Sequence, residues 1–308
     1  MIGFRVVVRV LLMAALVALV VPASTVRPTT LSLSRVETAK SVDFESGVVW
    51  ILVLGSDAKG GETVEQGDTD AIELLGIEFE SGAAAAIGIP RDAWVDIPAG
   101  VGLDRINAAW PEGNKRPGVG GAELAARTVE DLVGIAPDFV LVTGFEGFRA
   151  MTDEFGAVDV RSSVAFTTDG GRPVQKGLNR FDTEEALDFA RSRDDLDRSD
   201  FDRMANHQAL LLGYLRGLRA REDDEGFMED MAYAAIGGID TDVAPTDLYR
   251  LAQAVTQVDP AKVTGCLVLG SPFTTNGGAD VIRADTDLAR RLGRDAEPDA
   301  TLEPGCQG

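Results

Sequence analysis

One histidine, two cysteines and five lysines are all that this 308-residue chain holds of those residue types, and each shortage excludes something. With His207 the sole imidazole, a histidine-rich metal site is ruled out and a Ser-His-Asp triad has a single residue to draw on. Cys266 and Cys306 lack the close spacing of a metal-binding cysteine pair. Lysine is so scarce that almost all positive charge is arginine, the residue suited to bidentate phosphate recognition, although a GC-rich genome produces the same bias. Basic residues are outnumbered 29 to 50, a formal charge of −21, which excludes a broad electrostatic footprint on nucleic acid. Any anionic ligand must therefore meet a local arginine cluster that overcomes the global field. The glycine-rich stretch GNKRPGVGG at 113–121 lacks the lysine-serine/threonine ending of a phosphate-binding P-loop and reads as a plain loop.

What is present has an order. Arg5 and Arg9 precede an apolar run at 10–22 (VLLMAALVALVVP), short for a spanning helix, with Val21-Pro22-Ala23 as a small-residue cleavage site. Residues 1–23 are a signal anchor or a signal peptide, and either one exports the chain to the extracytoplasmic face of a cell membrane, or secretes it if the leader is cleaved. In that compartment Cys266 and Cys306 are expected to form a disulfide. Residues 24–46 read as a polar tether, residues 47–222 as the main body of the fold, and residues 223–308 as a C-terminal part packed on the same domain. Strands are predicted over 48–54, 69–78, 83–89, 139–143 and 158–160. Helices are predicted over 122–133, 146–155, 183–190, 200–218, 227–236, 246–257 and 286–294, with a further strand over 263–269. Strands alternating with helices give an α/β layered domain without internal repeats.

If the first three strands form an antiparallel meander, Asp57, Asp68 and Arg91 fall on one edge of the sheet. Two carboxylates with open positions suit magnesium, or manganese, completed by water and substrate phosphates, whereas both residues also stand beside glycine, as turn aspartates do. A second cluster reads FARSRDDLDRSDFDRMANH at 189–207. Arg191 and Arg193 point the same way if extended, and Arg203 and His207 share a helix face. Such arginines can hold a diphosphate, or pair with their aspartate neighbours as a solvated face.

The segments VLGSDAKGG (53–61), GDTDAIEL (67–74), IGIPRDAWVDIPAG (87–100), RINAAW (105–110), FEGF (145–148), KGLNRFDTEEALDFARSR (176–193) and DFDRMANHQALL (200–211) resemble, in order, the LytR-CpsA-Psr family. The resemblance covers about residues 48 to 220. It implies a membrane-anchored three-layer α-β-α domain with a mixed central sheet, preceded by an N-terminal apolar membrane segment. A hydrophobic groove would take a polyprenyl chain. The implied activity is transfer of a phosphoglycan, such as arabinogalactan or a teichoic-acid-like polymer, from a polyprenyl-diphosphate carrier to peptidoglycan. By the same resemblance Asp57 and Asp68 hold the metal, while Arg91, Arg191, Arg193 and Arg203 contact the diphosphate. Lys176, Arg105, Asn107 and His207 are expected to bind substrate. The expected partners are the lipid-linked glycan, the peptidoglycan acceptor and the membrane, with no nucleic acid.

The chain departs from the family pattern in three places. Gln66 stands where the family often has arginine, and Asn206 and His207 replace an arginine and a glutamine. Two lost positive charges weaken the diphosphate clamp unless His207 or Arg198 compensates. They also motivate two rival readings, a non-catalytic polyprenyl-diphosphate or cell-wall binding protein and a lipid pyrophosphatase.

Overall fold

A computed structural model describes residues 31–36, 47–58, 62–198, 200–224, 226–227, 230–231 and 239–303. The expected leader at 1–23, most of the helix expected at 227–236, and Cys306 lie outside the described residues. Among the described residues no helix is long and apolar enough to cross a membrane. In chain order the first elements are β1 (Leu31–Arg35), β2 (Val48–Ser56), β3 (Thr69–Glu78), β4 (Ala84–Gly88), β5 (Trp94–Ile97), β6 (Gly102–Arg105), α1 (Ala109–Asn114), α2 (Gly121–Val133), β7 (Phe139–Thr143) and α3 (Phe145–Phe155). There follow β8 (Val158–Ser162), β9 (Phe166–Thr167), β10 (Pro173–Val174), β11 (Gly177–Phe181), α4 (Thr183–Arg191) and α5 (Asp200–Ala220). The last are β12 (Ile239–Thr241), α6 (Pro245–Gln257), β13 (Val263–Leu267), β14 (Gly270–Thr274), β15 (Asp280–Ala284) and α7 (Thr286–Ala296).

The central sheet runs β12-β1-β7-β2-β3-β4-β13 and is mixed: β2, β3 and β4 are antiparallel neighbours, whereas β2 runs parallel to β7 and β13 parallel to β4. The period-2 rule divides β2 between two cores. Trp50, Leu52 and Leu54 face α2 and α7 through Leu124, Val129 and Leu292. Val49, Ile51 and Val53 face α6 through Leu251, Ala254 and Val258. Burial on both faces explains why β2 is a continuous apolar run rather than an alternating one. Helices on both sides of a mixed sheet make the three layers that the sequence led us to expect. A third cluster packs the β8–β11 hairpin, α4 and α5 around Phe155, Phe181 and Phe189. Asp182 caps α4 in a full capping box with Glu185, the signature visible in the sequence.

One expectation is corrected here. Residues 31–35, assigned to the polar tether, form β1 inside the sheet, parallel to β12 and antiparallel to β7. Leu31 and Leu33 are buried, and the Leu-Ser alternation of LSLSR is the period-2 pattern of a strand. Cys266, on β13, is disulfide-bonded.

Trp50 lies opposite Gly76 across β2 and β3, and a Cβ at Gly76 would stand 2.6 Å from its indole ring. Gly76→Val is therefore expected to overpack this contact and lower stability by about 1–3 kcal/mol. Urea unfolding measures it, and an unchanged midpoint would mean that the indole has room to move aside.

Candidate functional site

The β2–β3–β4 meander delivers the end of β2, the start of β3 and the turn after β4 to one edge of the sheet. Asp57 follows β2 and its backbone N–H donates to the carbonyl of Asp68 at 2.9 Å. Arg91 sits in the turn after β4, where its carbonyl accepts from Asn107 N–H at 3.2 Å while the Thr69 hydroxyl donates to the Asn107 carbonyl at 3.2 Å. Asn107 is thus the pin between the Arg91 turn and β3. The guanidinium of Arg91 pairs with Asp70 at 2.5 Å and lies 3.5 Å from Asp92 and 3.9 Å from Asp200. Burial works against its charge, but the Asp70 hydrogen bond and the surrounding carboxylates outweigh that and stabilise the cation.

From the other side α5 brings Arg203, which is 5% exposed. Its Nη2 pairs with Asp200 at 2.5 Å and donates to the Asp70 carbonyl at 3.1 Å. Arg193 adds its charge to the same group, acting on both Asp200 and Arg203. Burial raises the Asp200 carboxyl and lowers Arg203, each against the pull of its partner. Within this cluster the buried Nε atoms of Arg91 and Arg203 make no hydrogen bond, and that of Arg91 faces the carboxylates of Asp92 and Asp200.

The remaining residues settle differently. Arg191 is the last residue of α4, so it is not extended alongside Arg193 as expected; its guanidinium lies 4.8 Å from the centre of the Phe145 ring. Phe145 opens α3 just after β7, whose Thr143 pairs with Gly55, so Arg191 stays on the same sheet edge. Arg105 bridges Asp92, at 3.2 Å, and the carbonyl of Asp280, at 2.9 Å, and so ties the Arg91 turn to β15. Lys176 is exposed one residue before β11. His207 Nε2 donates to the Ala190 carbonyl at 2.9 Å, and burial, then the charge of Arg203, pushes its pKa down to about 4. It is neutral at pH 7 and does not replace the lost charge. Neither does Arg198, whose Nη2 pairs with Asp202 at 2.7 Å.

Asp70, Asp200 and Glu73 were not singled out in the sequence. The signal for Asp70 is its place two residues beyond Asp68, at the start of β3. Asp68 is raised by burial first and next by Asp57 and Asp70, so the three carboxylates share one field. Among the described residues no group of three or more His, Cys, Asp or Glu side chains converges on a metal-binding point. Asp57, Asp68 and Asp70 lie within one another's field and are the kind of hard oxygen donor that a magnesium-type cation takes beside water and phosphate oxygens.

Beside the cluster, an apolar groove of about 470 Å³ runs under α5. Leu75 and Ile77 of β3, Ala84 to Ala86 of β4, Ala205, Leu212 and Leu215 of α5, and Val258 line it. On α5 the groove-lining residues begin at Ala205, after Arg203 in the chain. Glu73, buried on the same strand, accepts from Gln208 Nε2 at 3.1 Å. Burial raises its pKa to about 8.

Comparison with known proteins bears on the family and the fold. The LytR_cpsA_psr family profile matches residues 21–292. A polyisoprenyl-teichoic acid–peptidoglycan teichoic acid transferase, TagU of Oceanobacillus iheyensis, is 36% identical over 171 residues, covering 54% of this chain and 52% of the relative. TagT of Bacillus subtilis, of the same description, is 35% identical over 152 residues, covering 46% of this chain and 45% of its own. The chain thus spans about half the length of the curated relatives it matches. Among solved structures, B. subtilis TagV superposes with a TM-score of 0.65 at 22% identity, over 81% of this chain and 97% of its own. TagT bound to LI-WTA gives 0.63 at 23% identity, over 89% and 97%. At these identities the superpositions establish the fold.

Glu73 supplies a stability test. The unfolded chain loses this proton near pH 4.5, whereas the folded chain keeps it to about pH 8, so stability falls as pH rises through that window. Glu73→Gln should remove this slope. We expect the variant to match wild type near pH 4 and to exceed it by on the order of 5 kcal/mol near pH 9, by urea unfolding. Equal stability at both pH values would mean that Glu73 is ionised in the fold.

Proposed function

Because the chain belongs to the LytR-CpsA-Psr family, we propose that it transfers a phosphoglycan from a polyprenyl-diphosphate carrier to peptidoglycan at the extracytoplasmic face of a membrane. One observation carries the reading: the guanidiniums of Arg91 and Arg203 meet at one edge of the sheet, and an apolar groove runs under the same helix, α5, that carries Arg203. A ligand that satisfies both is an amphiphile with a phosphate head and a hydrocarbon tail. A nucleotide would leave the groove empty, and a simple fatty acid would leave most of the arginines unused.

In this reading Arg91 and Arg203 donate to oxygens of the diphosphate, with Arg193 adding positive charge and Arg191 closing the edge above Phe145. Asp57 and Asp68, with Asp70 beside them, would hold a magnesium ion, which when bound neutralises charge on the diphosphate oxygens. A sugar hydroxyl of peptidoglycan attacks the phosphorus that bears the glycan. Its oxygen forms the new phosphoester, the bond to the bridging oxygen breaks, and polyprenyl phosphate leaves. The hydroxyl proton passes to a rim carboxylate, of which Asp92 stands between Arg91 and Arg105. Since the protein forms no covalent bond in this step, positioning and charge stabilisation supply the rate.

The neutral His207 and the paired Arg198 favour examining a second reading, a binder that holds the lipid without turning it over. Transfer of radiolabelled lipid-linked glycan to peptidoglycan separates the two. The wild type should transfer label, Arg91→Ala should lose about 10²–10³-fold in kcat/KM, and chelation of divalent cations should stop the reaction. Tight binding of the donor with neither transfer nor phosphate release would establish the binder, and hydrolysis that ignores the acceptor would establish a pyrophosphatase.

A further inference from the structure

The groove follows α5 from Ala205 to Arg216. Those 11 residue steps, from 205 to 216, cover about 17 Å at 1.5 Å per residue. That is close to half of the ~30 Å hydrocarbon core of a bilayer, the reach of one acyl chain. A polyprenyl tail is longer, so much of it must leave through the far mouth. At that mouth stand Arg161 of β8 and Arg216 of α5, both exposed. Among the described residues neither joins an ion pair, whereas the nearby Arg180 does.

Apolar side chains are exposed in the same region. Leu211 lines the groove and is 38% exposed. Leu178 lies directly opposite Arg161 in the β8–β11 pair and is 60% exposed. Val164, two residues past β8, is 40% exposed. Lys176 adds a cation next to β11, while Asp159, the acid on the exposed face of β8, is matched by Arg180. Unpaired cations interleaved with exposed apolar side chains are the pattern of a surface that lies in a lipid interface, with long basic side chains reaching the headgroups.

We propose that this rim, Arg161, Arg216, Leu178, Leu211 and Val164, docks on an anionic lipid surface, so that the groove opens onto the bilayer. The tail then slides into the groove without crossing water. The inference rests on the lipid-carrier reading for what fills the groove, and charge selects the face. A chain of net charge −21 is repelled by anionic lipid, so only a locally cationic patch can approach it.

The test uses the full chain reconstituted with phosphatidylcholine–phosphatidylglycerol vesicles, without donor or metal. Leu178→Trp and Leu211→Trp are compared with Leu103→Trp, a residue 64% exposed on β6, each read against the wild-type fluorescence. Brominated phospholipids should quench the two rim tryptophans at least twofold more than the reference. Arg161→Glu combined with Arg216→Glu should remove the difference and weaken association with anionic vesicles about tenfold or more. Equal quenching at all three positions, or quenching that ignores the charge reversal, would overturn the docking. Because no donor is present, the outcome is separable from transfer: an active enzyme with an unquenched rim sinks the docking alone, and a docked rim on a protein that transfers nothing sinks the enzymatic reading alone.

Discussion

The buried contact between Arg203, Asp200 and the carbonyl of Asp70 organises everything around it. Removing a guanidinium and a carboxylate from water costs several kcal/mol per ion, which their attraction recovers only with good geometry and additional hydrogen bonds. Here the return is positional. Asp200 is the first residue of α5 and Asp70 the second of β3, so the contact pins the start of a 21-residue helix to the edge of the sheet. With its beginning fixed there, α5 runs over Leu75, Ile77 and the alanines of β4, and the small side chains of that strand leave the space that becomes the groove. The head of the site and its channel are therefore consequences of one anchoring. The same carboxylates also hold Arg91, so the guanidiniums are assembled before any anion arrives, and a bound phosphate would meet donors already turned inward.

The sheet supplies the rest of the alignment. Antiparallel pairing of β2, β3 and β4 returns the chain twice to one edge, and parallel pairing of β2 with β7 brings Phe145 and, through it, Arg191 to that edge as well. Arg105 fastens the turn bearing Arg91 to β15, so residues more than 170 positions apart in sequence set the position of one guanidinium. This is why Arg105 and Asn107 read better as supports of the Arg91 turn than as direct ligands.

Much of this was legible in the residues. The uninterrupted apolar run of β2 announced a strand buried on both faces, and Pro90 after β4 marked the turn that carries Arg91. The capping box at Asp182 fixed the start of α4. Other features had no local signal. β1 is five residues long and pairs with β7 and β12, over 100 and over 200 positions away, so nothing in its neighbourhood distinguishes it from a tether apart from the Leu-Ser alternation. Arg191 was misjudged because helix α4 continues one residue further than the polar sequence after Ala190 suggested. The groove was invisible for a different reason. Each alanine, leucine and valine in it is an ordinary core residue, and only the tertiary arrangement shows that they line a space instead of filling it. Glu73, by contrast, looked like one more acid in an acid-rich chain.

The departures from the family pattern at Asn206 and His207 take on a meaning that charge counting alone missed. Asn206 donates to the Phe189 carbonyl at 3.4 Å and His207 to the Ala190 carbonyl at 2.9 Å, both at the end of α4. These two positions therefore form a seam between α5 and the end of α4. Neither position adds a cation to the clamp. On the proposed chemistry, the four carboxylates of Asp57, Asp68, Asp70 and Asp200 cancel the charge of the four arginines, so a divalent cation would supply the positive charge that a diphosphate needs. Dependence on that ion should therefore be steeper in this protein than in relatives that keep both arginines, because here the ion has to supply the charge that the side chains no longer do.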